Sequence, residues 1–375
     1  MKALVVLSTL AGAMVCAACT RDLEIGVLLA PDGGAASSGA SGSTGGGAPT
    51  SSSSVSSSSG GGGGSPGIGV TLLGCNVLPG VEKIEVLAQG AGSRLAFAVA
   101  DAALYWLDQG AAGTSSRLYR VPVDCSTGPA QAWDLGITTV GGLAVNDQAI
   151  YLTLAAPGGL VRLPFGGSIE PVVGSASDLA GLDIHSSKPG TAYVAVPADG
   201  KVIEVDLAAK TTKDFATGQA LPVEVAIDDF AVYWINRDTG DVQRQRLLPP
   251  GTLTTPGAGQ GHPLGLLSRP LGVVWVNAPS VPGASDGELV LLSPGDAFAH
   301  SIALSVLDPG RITADTTDVF WTDVQVHAVQ RADVVGGPGI TLASGLGVPG
   351  PLVLAGSYLY FVDTATRVLA RVKVM

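Results

Sequence analysis

Charge is scarce in this 375-residue sequence: Asp, Glu, Lys and Arg make up 14% of it, with 20 Lys and Arg against 31 acids. The formal net charge of -11 and the lack of any Lys/Arg cluster argue against a nucleic-acid partner, since that binding rests on neutralising phosphates. Histidine is scarcer still. His185, His262, His300 and His327 stand apart, with no H-E-x-x-H and no pair at helical spacing, so the usual zinc patterns are missing. There is no G-x-S-x-G elbow and no G-x-x-x-x-G-K-[ST] loop, and glycine pairs such as those of GGLVRLPFGG precede no helix that could receive a phosphate. No second apolar run approaches the roughly 20 residues of a membrane span. The strongest one after the N-terminus, RLAFAVADAALYWL at 94–107, is interrupted by Asp101.

Glycine (53) and proline (24) are plentiful and 46% of the chain is hydrophobic, a composition that predicts short buried strands joined by tight turns. The first residues, MKALVVLSTLAGAMVCAACTRD, are different: Lys2, then an apolar run at 3–15, then small residues, the pattern of a secretory signal. Its ending, Ala17, Ala18 and Cys19, resembles a bacterial lipobox. That resemblance implies a signal over residues 1–19, a lipid on Cys19, export, and attachment to the cell envelope by the lipid alone. Thr20 after that cysteine, rather than Asp, implies outer-membrane sorting by the same resemblance. Cys16 stands where the lipobox usually has Leu, which leaves cleavage at an ordinary site nearby as the alternative. Residues 20–67 form a Ser/Gly-rich stretch that buries too little to offset its chain entropy, predicting a flexible tether with a reach of roughly 30 to 35 Å.

From residue 68 to 375 one phrase keeps returning. Its aromatics, Tyr105, Tyr151, Tyr193, Tyr233, Trp275, Phe320 and Tyr360, are separated by 46, 42, 40, 42, 45 and 40 residues. That period is too long for ankyrin or tetratricopeptide helices and suits propeller blades. Within one copy, GGLAVN, AIYLTLA, GLVRLPFGG and IEPVVGSA read as four strands from the axis outwards. The predicted fold is all-β: a seven-bladed β-propeller of four-stranded blades. Six blades is the alternative, because the Trp275 copy is the least regular, with Pro270 in its first hairpin and a long APSVPGASDG loop. The last copy ends after three strands, while residues 81–89 are surplus to the first, so an N-terminal strand is expected to complete the last blade and close the ring. The phrases at Tyr105-Trp106-Leu107-Asp108, Tyr233-Trp234-Ile235-Asn236 and Phe320-Trp321-Thr322-Asp323 resemble YWTD-type propeller repeats. Members of that class are mostly six-bladed, and many are binding scaffolds.

An exported compartment permits a disulfide, and Cys75 with Cys125 would meet at the seam of such a ring. Asp101, Asn146, Asp228 and Asp315 fall in the first hairpin of different blades and should gather on one channel rim. There they either serve their own turns or form a site for a hard cation such as Ca²⁺ or a cationic ligand. No other cofactor is expected. The functional expectation is a lipid-anchored, monomeric scaffold that binds a protein or glycan partner, without catalysis. Two alternatives stand beside it: a hydrolase or lyase with its site over the central channel, and a structural part of an envelope assembly.

Overall fold

The computed structural model describes residues 70–77, 84–90, 97–100, 102–108, 115–136, 139–154, 158–175, 177–184, 187–248, 251–281 and 284–374. The signal, Cys19 and the whole of the tether therefore lie outside the described residues, as do Asp101 and His185.

Blade four shows how the sequence dictates the unit. Pro222–Ile227, Ala231–Asn236, Asp241–Arg246 and Leu253–Gly257 form strands a to d of an antiparallel sheet, with a innermost. Strand b, AVYWIN, is buried along its whole length. Successive side chains of a strand point to opposite faces, so neighbouring Tyr and Trp enter different cores. Tyr233 packs into the core shared with blade five, and Trp234 into the core shared with blade three. The recurring aromatic pair is thus the signature of a strand covered on both sides. Tyr105 with Trp106 and Phe320 with Trp321 divide between two cores in the same way.

Seven such sheets occur, and their inner strands touch in a closed cycle: Phe97–Ala100, Val140–Val145, Leu182–Ile184, Pro222–Ile227, Pro263–Arg269, Pro309–Ala314, Pro349–Ala355, and back to the first. Seven hydrophobic clusters fill the spaces between blades, one per interface. The molecule is a seven-bladed β-propeller, with no helix among the described residues. The six-bladed alternative fails because the irregular copy is a complete blade: Gly272–Asn277 is its strand b, and the long loop merely delays Gly287–Leu292. One sequence expectation needs correcting. Trp275 does not occupy the place of Tyr233. Its partner across the hairpin and its core place it with Trp234, so Val274 holds the aromatic's position in that blade.

Ring closure follows the sequence reading and adds to it. Ile84–Gln89 pairs with Val368–Lys373 as the fourth strand of blade seven. Thr71–Val77 then adds outside it, and Thr127–Pro129 outside that, giving a six-stranded sheet. Cys75 and Cys125 are joined by a disulfide across this addition, closing a loop over a sequence separation of 50. Arg371 ties the same seam. Its guanidinium donates to Glu85 at 2.7 Å, to the Val123 carbonyl at 3.2 Å and to Cys125 Sγ at 3.3 Å, and lies 4.1 Å from the Tyr358 ring centroid.

In an antiparallel blade the a–b and c–d turns lie on one face of the disc, and the b–c turns and interblade links on the other. Close backbone approach between inner strands needs glycine at a few points. Gly181 donates its amide to Val223 O at 2.8 Å, and a Cβ there would stand 2.6 Å from that same oxygen. Gly141 is tighter still, 2.0 Å from Leu179 O by the same measure.

Candidate functional site

Asn146, Asp228 and Asp315 each sit between strands a and b of their blades, and their polar atoms are engaged locally. Asp228 Oδ1 accepts the amides of Phe230 and Ala231 at 2.8 and 2.7 Å, while Oδ2 accepts the Tyr233 hydroxyl at 2.8 Å. Burial, reinforced by that bond to Asp228, raises the Tyr233 phenol above its ordinary pKa. Asn146 repeats the arrangement: Oδ1 takes the amides of Gln148 and Ala149, and Nδ2 reaches the Tyr151 hydroxyl and Pro189 O. Asp315 Oδ1 accepts the amides of Thr317 and Asp318 and the Thr317 hydroxyl. Each is a side chain folded back on its own turn, and in two blades it also holds the tyrosine five residues on. Asn146 and Asp228 border different cavities. Asn146 borders a cavity of about 510 Å³ among blades one to three, and Asp228 one of about 520 Å³ at the mouth among blades three to five. Among the described residues no three His, Cys, Asp or Glu side chains converge on a possible metal position.

Two acid–arginine relationships near the channel were not legible in the sequence. The inner strands of blades four, five and six each carry a bulge near their start, and a bulge re-aims side chains. Glu224 and Arg311 lie in two of these bulges and meet past blade five, Oε1 to Nη1 at 3.6 Å, both buried. Glu224 Oε2 accepts the Leu266 amide at 2.7 Å, so the intervening blade is held too. At the other end of the strands, Asp183 Oδ2 accepts the Ile227 amide and Arg269 Nε donates to Ala314 O. Enclosure in the mouth lowers the Arg269 guanidinium from its usual value, and Asp183 opposes that shift. Asp183, Asp228, Asp229 and Arg269 thus share the mouth cavity.

A further opening lies away from the channel mouth. A groove of about 640 Å³ runs between blades four and five on the a–b and c–d face, lined among others by Phe230, Tyr233, Arg244, Arg246, Leu248 and Pro294. Phe230 is 72% exposed and Leu248 77% exposed. On the same face, Phe298 in the c–d turn of blade five is 76% exposed and Val335 in that of blade six 88%. Three histidines are described and they are dispersed: His262 precedes blade five, His300 opens its outer strand, and His327 contacts the Gly347 carbonyl through Nδ1 in the b–c turn of blade six.

No protein-family model matches the chain, and no curated protein matches it. Solved structures do. A catalytically inactive virginiamycin B lyase from Staphylococcus aureus, crystallised with quinupristin, superposes with a TM-score of 0.62 at 12% identity, over 78% of this chain and 99% of that one. An oligogalacturonate lyase in complex with manganese gives 0.56 at 11% identity, over 79% and 94%. BamB from Moraxella catarrhalis gives 0.52 at 13% identity, over 81% and 90%. At these identities the likeness establishes the propeller fold, which hosts lyases as well as other proteins.

Proposed function

We propose that the protein is an exported propeller, tethered to the cell envelope through a lipid on Cys19, that recognises a protein partner with its a–b and c–d face over blades four to six. The observation that carries this reading is the placement of Phe230, Leu248, Phe298 and Val335 on that one face, each at least 72% exposed, with Phe230 and Leu248 lining the groove between blades four and five. Single exposed apolar residues are ordinary, whereas an apolar cluster beside a groove is the anatomy of a recognition surface. The test is co-purification from envelope extracts with the wild type, with a Phe230→Asp/Leu248→Asp variant, and with Val281→Asp as a control in a b–c loop on the opposite face. A partner retained by the control and lost by the double variant supports the reading; a partner retained by all three overturns it. Cys19→Ala should move the protein from the membrane to the soluble fraction.

A lyase or hydrolase is the second reading, favoured by the mouth cavity that holds Asp183, Asp228, Asp229 and Arg269 together. A turnover lost in Arg269→Met but kept in Phe230→Asp would select it.

A further inference from the structure

The groove between blades four and five has a charge opposite to that of the rest of the molecule. The chain carries a formal charge of -11, yet the groove presents Arg244 and Arg246 against a single acid, Asp228. That acid is already satisfied by two amides and the Tyr233 hydroxyl. Arg244 is fixed in place, Nε donating to Thr254 Oγ1 at 3.1 Å and Nη1 to Asp296 O at 3.0 Å. Arg246, two residues along the same strand, is exposed, and among the described residues its guanidinium has no hydrogen bond or ion pair. Phe230 and Leu248 stand on the same groove as exposed apolar flanks.

We infer that this groove docks an extended peptide segment of a partner protein that carries a carboxylate beside a large apolar side chain. The inference rests on the recognition face proposed above and names the chemistry it reads. The planar, permanently charged guanidinium of Arg246 receives the carboxylate, with geometry suited to two parallel hydrogen bonds. The apolar side chain lies against Phe230 and Leu248. A volume of about 640 Å³ accommodates a few side chains, and Phe298 is exposed on the same face beyond the groove, which suits a peptide better than a small anion. A second copy of this acidic chain is disfavoured by like-charge repulsion.

The test uses the full chain and two immobilised peptide libraries that differ at one position, Xaa3-Asp-Phe-Xaa3 and Xaa3-Asn-Phe-Xaa3. The Asp library should be retained at least tenfold better, an advantage that Arg246→Gln abolishes and 0.5 M salt reduces. Equal retention of the two libraries, an Asp advantage that survives Arg246→Gln, or a concentration-dependent homodimer that Phe230→Ser dissolves would each overturn the inference. The two readings fail separately. If Phe230→Asp/Leu248→Asp loses the co-purified partner while Arg246→Gln keeps it, the carboxylate claim falls and the face stands. If neither changes it, both fall.

Discussion

At the scale of the residue, the recurring Asp and Asn have two duties, closing a turn and holding an aromatic. Asp228→Ala removes the acceptor of two backbone N–H hydrogen bonds and of the Tyr233 hydroxyl, and should cost about 1–2 kcal/mol, read as a lower urea midpoint. Because these oxygens are already engaged, the melting temperature is expected to be the same in Ca²⁺ and in chelator. A shift of several degrees that Asp228→Ala abolishes would contradict that. Asp363 gives a pH signature. Burial alone would raise its carboxyl, but amides of Gly347, Val348 and Thr366 outweigh it and hold the pKa below the ordinary range. A depressed folded-state value contributes stability above the unfolded carboxylate pKa, about 4, and that contribution disappears as pH falls through the folded value. Wild type and Asp363→Asn should therefore differ in urea midpoint at pH 7 and converge below about pH 4. The turn pattern showed where Asn146, Asp228 and Asp315 sit, because tight turns select those residues locally. It could not show that Asn146 and Asp228 border different cavities, since only the ring geometry fixes the distance between hairpins.

At the scale of the element, strand b was the most legible, because burial on both faces leaves an unbroken apolar phrase in the sequence. Its one misreading, Trp275 for Val274, came from anchoring on an aromatic where that copy has only Trp275; the alternation of faces is what distinguishes the two positions. The inner strands hid their content. Glu224 and Arg311 lie far apart in sequence and meet only because bulges in two blades turn them towards each other. Breaking such a buried pair from one side is costly, about 3–5 kcal/mol, whereas removing both charges is milder. Arg311→Met alone should destabilise strongly in urea, and Glu224→Gln added to it should cost much less than it does in the wild type. Strict additivity would show the pair to be uncoupled.

The strand that completes blade seven could be expected because the last copy was one strand short, but the further additions of Thr71–Val77 and Thr127–Pro129 leave no periodic trace. Reducing the Cys75–Cys125 bridge should lower stability by about 2–4 kcal/mol, measured by denaturation with and without reductant. An unchanged midpoint would mean that Arg371 and the added strands hold the seam unaided.

At the scale of the whole molecule, the ring makes a rigid disc whose two faces differ. One face carries the a–b and c–d turns with Phe230, Leu248, Phe298 and Val335; the other carries the b–c turns. The groove could not be read from the sequence, because its walls come from blades four and five and its exposed residues look like ordinary turn residues one at a time. The most direct test of the recognition face is a photo-activated cross-linking residue placed at Leu248, and separately at Val281 on the opposite face, in the cells that make the protein. A discrete adduct of higher mass at Leu248, absent at Val281, is the expected result. The same adducts at both positions, or one at Val281 alone, would contradict it.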